Sequence, residues 1–247
     1  MHDPEIRQEA LRLVAAGVND CEVARRLGVA RTTVRDWRRP TYVPKRRPGE
    51  LCPRCWEWAS PIIASADDYA ELLGLYLGDG HVSQMARTQR LRLFLDAEYP
   101  VIVTDAAALL QRVFPNNRVC RQTRFEGAMV ELFVYHRHLG CLLPQHAPGK
   151  KHLRTITLEP WQSELITASP WRFLRGCVRS DGCVFVNRTG SYGYLSYGFA
   201  NHSSDVLDIF EATCVALALR PRRYSRAIRL NRRDDVARLL EHVGIKS

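Results

Sequence analysis

Two aspartates in this chain have surroundings that point directly to chemistry. The stretches LLGLYLGDG (72–80) and LRGCVRSDG (174–182) each read as a turn and a half of apolar helix that ends in an Asp-Gly pair. Asp79 and Asp181 are 102 residues apart, which is the size of one compact half-domain. Two carboxylates brought together at a two-fold axis can bind a divalent metal and hydrolyse a phosphodiester bond. The alternative is that each aspartate only ends its helix, but two copies in matching context favour a paired site.

The helices that carry these aspartates have small residues four positions apart. These are Gly74 and Gly78 in the first helix, and Gly176 and Ser180 in the second. Side chains this small let two helices approach until their backbones nearly touch. If the halves pack through these faces, Asp79 and Asp181 become neighbours at the negative ends of two helix dipoles. A hard cation such as Mg²⁺ would offset that repulsion.

The sequence around each Asp-Gly pair predicts the same order of elements twice. Residues 90–96 alternate, with Leu91, Leu93 and Leu95 facing a core, and residues 100–114 form an amphipathic helix. Strands over 118–124 and 128–135 and a short helix near residue 143 complete the first half. The second half repeats this order, with a hairpin over 184–187 and 192–200, a helix over 205–217, a strand pair over 222–230 and a helix over 234–243. The fold class is therefore α+β, with two αββαββα halves related by a pseudo-two-fold axis.

The composition indicates a polyanion as the first partner to consider. The net charge is +10, and only Lys45, Lys150, Lys151 and Lys246 among the 36 basic residues are lysine. No apolar run of 18 residues exists, and the first residues lack a signal-peptide pattern, so we expect no membrane partner. Scattered cysteines indicate a reduced protein. We expect a cytoplasmic location, at the nucleoid, and a monomer with internal two-fold symmetry.

The first 39 residues predict a small all-α domain. An apolar stripe that starts at Ile6 ends near Gly17, a helix begins at Asn19-Asp20, and Gly28 makes a tight turn into a further helix. The segment 18–38 resembles the helix-turn-helix of resolvase-like and transposase-like DNA-binding domains. That resemblance implies that the last helix faces the major groove through Arg31, Thr32, Thr33 and Arg35. A plain helical hairpin with a solvated arginine face is the alternative.

Residues 40–64 predict a linker between domains. Prolines and the run Lys45-Arg46-Arg47 make a stiff, extended segment that could follow a DNA backbone. Cys52 and Cys55 form a C-x-x-C pair, which is half of a zinc site. His136, His138 and Cys141 could supply the missing ligands, although two ordinary thiols in a turn also fit this spacing.

The repeated motif resembles that of the LAGLIDADG (DOD-type) homing endonucleases, in the single-chain form with both half-sites in one polypeptide. The resemblance covers residues 65–247, divided as half one (65–150) and half two (151–247). It implies αββαββα halves whose sheets form a DNA-binding saddle, and Asp79 and Asp181 as ligands of the cleavage metal, Mg²⁺. Leu77 and Arg179 stand where the family motif has its first aspartate, which is not the metal ligand.

The resemblance also gives a meaning to the rare lysines. Lys150 and Lys151 follow the last helix of half one, and Lys246 follows the last helix of half two. Family members commonly place a basic residue there to support the attacking water or the scissile phosphate, and lysine can tune its pKa by burial. A solvated loop or tail is the alternative. Polar strand faces supply the expected DNA contacts: Arg90, Arg92, Arg121, Arg124, Asn187, Arg188, Arg222, Arg223, Arg226 and Arg229.

We therefore expect sequence-specific binding of double-stranded DNA with Mg²⁺-dependent cleavage of both strands. The main alternative is a transcriptional regulator that keeps the saddle only for binding, as certain sporulation regulators of actinobacteria do. Those proteins lack the acidic pair, which this chain retains. An intein remnant is disfavoured because the splicing nucleophile and the His-Asn ending are absent, and a zinc-ribbon module rests on Cys52 and Cys55 alone.

Overall fold

A computed structural model describes residues 4–38, 55, 63–85, 87–147 and 149–246. The chain divides into two compact units, Met1–Arg47 and Pro48–Ser247. No helix within the described ranges has both the length and the apolar character needed to cross a bilayer.

The N-terminal unit consists of α1 (Pro4–Ala15), α2 (Asp20–Leu27) and α3 (Arg31–Arg38). Asn19 caps α2 by accepting hydrogen bonds from the backbone N–H groups of Cys21 and Glu22. Gly28 ends α2 in the left-handed conformation, with φ of 64°, which glycine adopts without strain. A small core lies between the three helices, formed by Ala10, Val23, Ala24, Val34 and Trp37. The predicted helices and turn are confirmed.

The C-terminal unit contains two halves with the predicted order of elements. The first half is α4 (Ala66–Asp79), β1 (Gly80–Gln84), β2 (Gln89–Asp96), α5 (Pro100–Val113), β3 (Cys120–Arg124), β4 (Met129–His136) and α6 (Leu139–Leu142). Its strands form an antiparallel sheet in the order β1-β2-β4-β3. Leu91 and Leu93 pair with Val134 and Leu132, and all four are buried on the core face.

The second half begins with one helix that the repeat did not predict, α7 (Pro160–Ala168). It continues with α8 (Pro170–Asp181), β5 (Gly182–Thr189), β6 (Tyr192–Ala200), α9 (Ser204–Ala216), β7 (Arg222–Tyr224), β8 (Ala227–Leu230) and α10 (Arg233–Val243). The strand order β5-β6-β8-β7 is the same as that of the first sheet. The predicted α+β fold with two αββαββα halves is confirmed.

Helices α4 and α8 pack against each other through their small residues. A Cβ atom placed on Gly74 would stand 2.4 Å from the carbonyl oxygen of Phe173, and one on Gly176 would stand 2.1 Å from that of Glu71. One on Gly78 would stand 2.1 Å from Oγ of Ser180. No side chain fits in such gaps, so the glycines set the distance between the two helices.

Charged side chains also bridge the two halves beside this contact. Glu71 of α4 is 3% exposed and accepts a hydrogen bond from Arg179 of α8 at 3.2 Å. Arg175 and Arg179 both reach Asp105 of α5 in the first half, at 3.3 and 2.5 Å. Arg175 and Arg179 of the second motif are thus paired with acids of the first half, which offsets the cost of burying Glu71.

Candidate active site

Asp79 and Asp181 end the two helices that pack through glycine. Each is the last residue of its helix and is followed by a glycine that starts the first strand of its sheet. A Cβ atom on Gly78, one residue before Asp79, would stand 3.0 Å from Oδ2 of Asp181. The close helix contact therefore brings both carboxylates to one place, as the spacing of small residues predicts.

A lysine lies at the C-terminal end of each of these helices. Lys151 Nζ donates hydrogen bonds to the carbonyl oxygens of Tyr76, Leu77 and Gly78, at 2.6, 2.9 and 2.6 Å. Lys246 Nζ donates to the carbonyl oxygen of Ser180 at 2.5 Å. An ammonium group is favourable here, because the last carbonyls of a helix lack intrahelical partners and carry the negative end of its dipole.

Burial and mutual proximity change the protonation of these groups. Burial, and then the neighbouring charge of Asp181, raises the pKa of Asp79 to about 7, although Lys246 and Lys151 act in the opposite direction. Burial also raises the pKa of Asp181 and lowers that of Lys151 to about 8, against the opposing charges of Asp181 and Asp79. Two carboxylates that resist ionisation together, with hard oxygen donors, are a donor set suited to a divalent cation.

Asn201 makes the two aspartates different from each other. Its side-chain amide donates to Oδ2 of Asp181 at 2.7 Å, and this hydrogen bond counteracts the effect of burial on the Asp181 pKa. Asn201 lies just after β6, and its backbone N–H donates to the carbonyl oxygen of Arg226. The corresponding residue of the first half is Ala97, which lies just after β2 and donates to the carbonyl oxygen of Ala128. Asp79 therefore has no equivalent amide from this position. Asn201 is not among the residues that the sequence predicts for the site, since an Asn-His-Ser stretch after a strand is typical of an ordinary turn.

The lysines predicted for the active site have different surroundings. Lys151 points at the end of α4, whereas the Lys150 side chain is exposed. Lys246 occupies the corresponding place in the second half. An open cleft of about 590 Å³ borders this region and is lined in part by Asp79, Ser180 and Lys246.

In the first sheet, three of the predicted DNA-contacting arginines surround one buried acid. Glu131 of β4 is fully buried, and it accepts hydrogen bonds from Arg90, from Arg92 at 2.7 Å and from Arg124 at 2.9 Å. Burial alone would raise the pKa of Glu131, but bonds from Arg92 and Arg124 outweigh it and hold the pKa at about 2. These arginines are therefore fixed in position on the sheet. Arg121 is exposed.

In the second sheet, the strand register places the predicted DNA-contacting arginines on two different faces. Arg222 pairs with Arg229, and Arg223 pairs with the buried Ile228. Since directly paired residues share a face, Arg223 lies on the helix side, where it binds Asp208 and Glu211 of α9 at 2.8 and 2.9 Å. Arg222 and Arg229 lie on the other face and stack over Tyr224. Asn187, Arg188 and Arg226 are exposed.

On α3, the residues predicted to read DNA lie on the side away from the core. Arg31, Thr32 and Arg35 are exposed and Thr33 is half-buried, while Val34 and Trp37 face inward. Of the predicted zinc ligands, Cys52 lies outside the described residues. Cys55 is buried next to His138.

Two of three comparisons with known proteins found matches. Residues 1–39 match the family model of a Homeodomain-like domain. No curated protein matches the sequence significantly. The similar solved structures are LAGLIDADG homing endonucleases.

The chain shares little sequence identity with these structures. Mesophilic variants of the homing endonuclease I-DmoI are 16% identical with a TM-score of 0.49, over 74% of this chain and 97% of theirs. I-DmoI in complex with DNA and Mn is 16% identical with a TM-score of 0.48, over 72% and 97%. I-WcaI bound to its DNA recognition sequence is 13% identical with a TM-score of 0.46, over 75% and 84%.

Proposed function

We propose that this protein is a DNA endonuclease that binds a specific double-stranded site and cleaves it with Mg²⁺. The observation that carries the proposal is the pair Asp79 and Asp181, held together by a glycine-mediated helix contact with one lysine at each helix end. Burying two neighbouring carboxylates is unfavourable, and Lys151 and Lys246 offset only part of the repulsion, because the pKa of Asp79 is still raised to about 7. A divalent cation would offset the rest. This pair supports a cleaving enzyme over a regulator that only binds DNA, because a regulator needs no metal ligands between its two halves.

In the proposed mechanism, Asp79 and Asp181 would hold the divalent metal. When bound, Mg²⁺ would polarise the scissile phosphate and lower the pKa of the attacking water. Asn201 orients Oδ2 of Asp181 through its amide. Lys151 donates all three of its N–H groups to carbonyl oxygens, so it acts as a fixed positive charge beside the reacting phosphate and not as a base.

Two separate surfaces would bind the DNA. Arg31 and Arg35 of α3 would enter the major groove, where arginine recognises guanine. The arginines fixed around Glu131, together with Arg222 and Arg229, would line the two sheets. The net charge of +10 supports a strong contribution from phosphate contacts. We propose that the protein acts as a monomer on nucleoid DNA in the cytoplasm.

The experiment is a cleavage assay on a site selected for binding from a random DNA library. The full-length protein is expected to bind this site with Ca²⁺ and to cut both strands with Mg²⁺, and Asp79→Ala and Asp181→Ala are expected to bind without cutting. Glu164→Ala, an exposed change on α7, serves as the matched control. If the wild type binds the site tightly but never cuts it, the protein is a DNA-binding regulator and the proposal fails.

A further inference from the structure

Three side chains of metal-binding type meet in a cluster that contains neither of the paired aspartates. Cys55 comes from the segment before the first half, while His138 and Cys141 lie at the start and inside of α6. Their ligand atoms all lie within 4.8 Å of one another. The spacing of three between His138 and Cys141 puts both on one side of a helical turn, facing Cys55 from 83 positions earlier.

The distances in this cluster are compatible with three ligands of a tetrahedral zinc ion. Sγ of Cys55 lies 3.4 Å from Nδ1 of His138. With Zn–S of about 2.3 Å and Zn–N of about 2.0–2.1 Å, tetrahedral ligands stand about 3.6 Å apart for a sulfur and a nitrogen. Two sulfur ligands stand about 3.8 Å apart on the same basis. The S–N separation of 3.4 Å is close to this value, and the limit of 4.8 Å on the other two separations is compatible with one shared ion.

Burial and charge favour a soft divalent metal over a hard one. Cys55 and Cys141 are 4% and 1% exposed and form a cluster separate from the main core. Two thiolates and an imidazole are soft and borderline ligands, which zinc prefers and Mg²⁺ does not. Zn²⁺ would also neutralise the two buried thiolates, which would otherwise be costly to ionise.

His136, the other histidine in reach by sequence, has a different role. Its Nδ1 accepts a hydrogen bond from the backbone N–H of His138 at 3.2 Å, and its ring packs against Phe114. It therefore supports the turn that presents His138.

We propose that Cys55, His138 and Cys141 bind a structural Zn²⁺ that fastens the segment before α4 to the end of the first half. This site is distinct from the Mg²⁺ site of the proposed function and does not depend on it. The proposal rests on Cys55, His138 and Cys141 alone. Cys52, which the C-x-x-C spacing suggests as a fourth ligand, lies outside the described residues.

The first test is the zinc content of the full-length protein, purified under reducing conditions and measured by inductively coupled plasma mass spectrometry. About one zinc per chain is expected, with loss in Cys55→Ser, His138→Ala and Cys141→Ser. Cys183→Ser is the matched control, because Cys183 is an exposed cysteine of β5, and it should keep the metal. A wild type without zinc, or zinc that survives all three substitutions, overturns the proposal.

Cobalt binding by the wild type keeps the test decisive if the variants fail to fold. Co²⁺ added to chelator-treated protein should give thiolate-to-cobalt charge-transfer bands and the intense visible bands of a tetrahedral site. An octahedral spectrum without thiolate bands would contradict the assignment, as would a Cys55–Cys141 disulfide found by mass spectrometry.

Discussion

Lys151 donates a 2.6 Å hydrogen bond from Nζ to the carbonyl oxygen of Gly78, the residue directly before Asp79. Two further bonds to Tyr76 and Leu77 fix the ammonium group against the end of α4. The adjacent Lys150 is exposed instead. Two neighbouring lysines that the sequence cannot tell apart thus have different surroundings.

This difference predicts the outcome of two otherwise equal substitutions. Lys151→Met should slow single-turnover DNA cleavage on the order of 10²-fold, because it removes a fixed charge from the reacting centre. Lys150→Met should change the rate little. DNA affinity measured in Ca²⁺ separates the effect on cleavage from a loss of binding. An equal loss of rate in both variants would count against the role assigned to Lys151.

The contact between α4 and α8 predicts a strong effect of one methyl group. Gly176→Ala would place a Cβ atom 2.1 Å from the backbone oxygen of Glu71, so the helices must move apart. We expect the free energy of unfolding, measured by urea denaturation, to fall by about 1–3 kcal/mol. Glu164→Ala, on the exposed side of α7, is the control and should cost far less. If Gly176→Ala is as stable as the wild type, the helices are not held by a backbone contact.

The buried carboxylate of Glu131 predicts a pH dependence of stability. Unfolded glutamate takes up a proton near pH 4.5, and folded Glu131 does so only near its pKa of about 2. Between these values the unfolded state binds more protons, so the stabilisation is complete above about pH 4.5 and is lost as the pH falls toward 2.

Glu131→Gln tests this dependence. The variant should be less stable than the wild type by about 3 kcal/mol at pH 7, from 1.36 kcal/mol per pKa unit. The difference should shrink as urea denaturation is repeated down to pH 3. Glu164→Gln controls for the loss of an exposed charge, and a difference that does not vary with pH would contradict the ion-pair account.

The exposed face of α3 predicts the behaviour of DNA-binding variants. Arg31→Ala and Arg35→Ala should each weaken binding to the selected site by about 1–3 kcal/mol if they contact bases. Loss of a phosphate contact would instead reduce the salt slope of log K by about 0.9. Arg12→Ala is the control, because Arg12 of α1 is paired with Glu9 at 2.7 Å. Unchanged affinity and salt slope in both α3 variants would exclude this helix from the interface.

Much of the fold could be predicted from the sequence, because local patterns carry it. The alternation over residues 90–96 marks β2. Small residues four apart in two helices, Gly74 and Gly78 in α4 and Gly176 and Ser180 in α8, mark the contact that joins the halves. The opposite orientations of Arg222 and Arg223 are also predictable, since adjacent residues of a strand point to opposite faces of the sheet. Predicting DNA contacts for both residues therefore conflicts with this alternation.

Other features depend on contacts between distant segments and were not predictable. Glu131 accepts hydrogen bonds from arginines of two other strands, β2 and β3. Asn201, which follows β6, donates to Asp181 at the end of α8. The meeting of Cys55 with His138 and Cys141 also needs the folded chain, because spacing alone did not select His138 over His136.

The most direct test of the central claim is anomalous scattering from Mn²⁺ in crystals of the protein bound to its selected DNA site. The account predicts a peak in the site formed by α4 and α8, with carboxylate oxygens of Asp79 and Asp181 within about 2.0–2.6 Å of bound metal. DNA bound across the sheets without metal at either aspartate would contradict it.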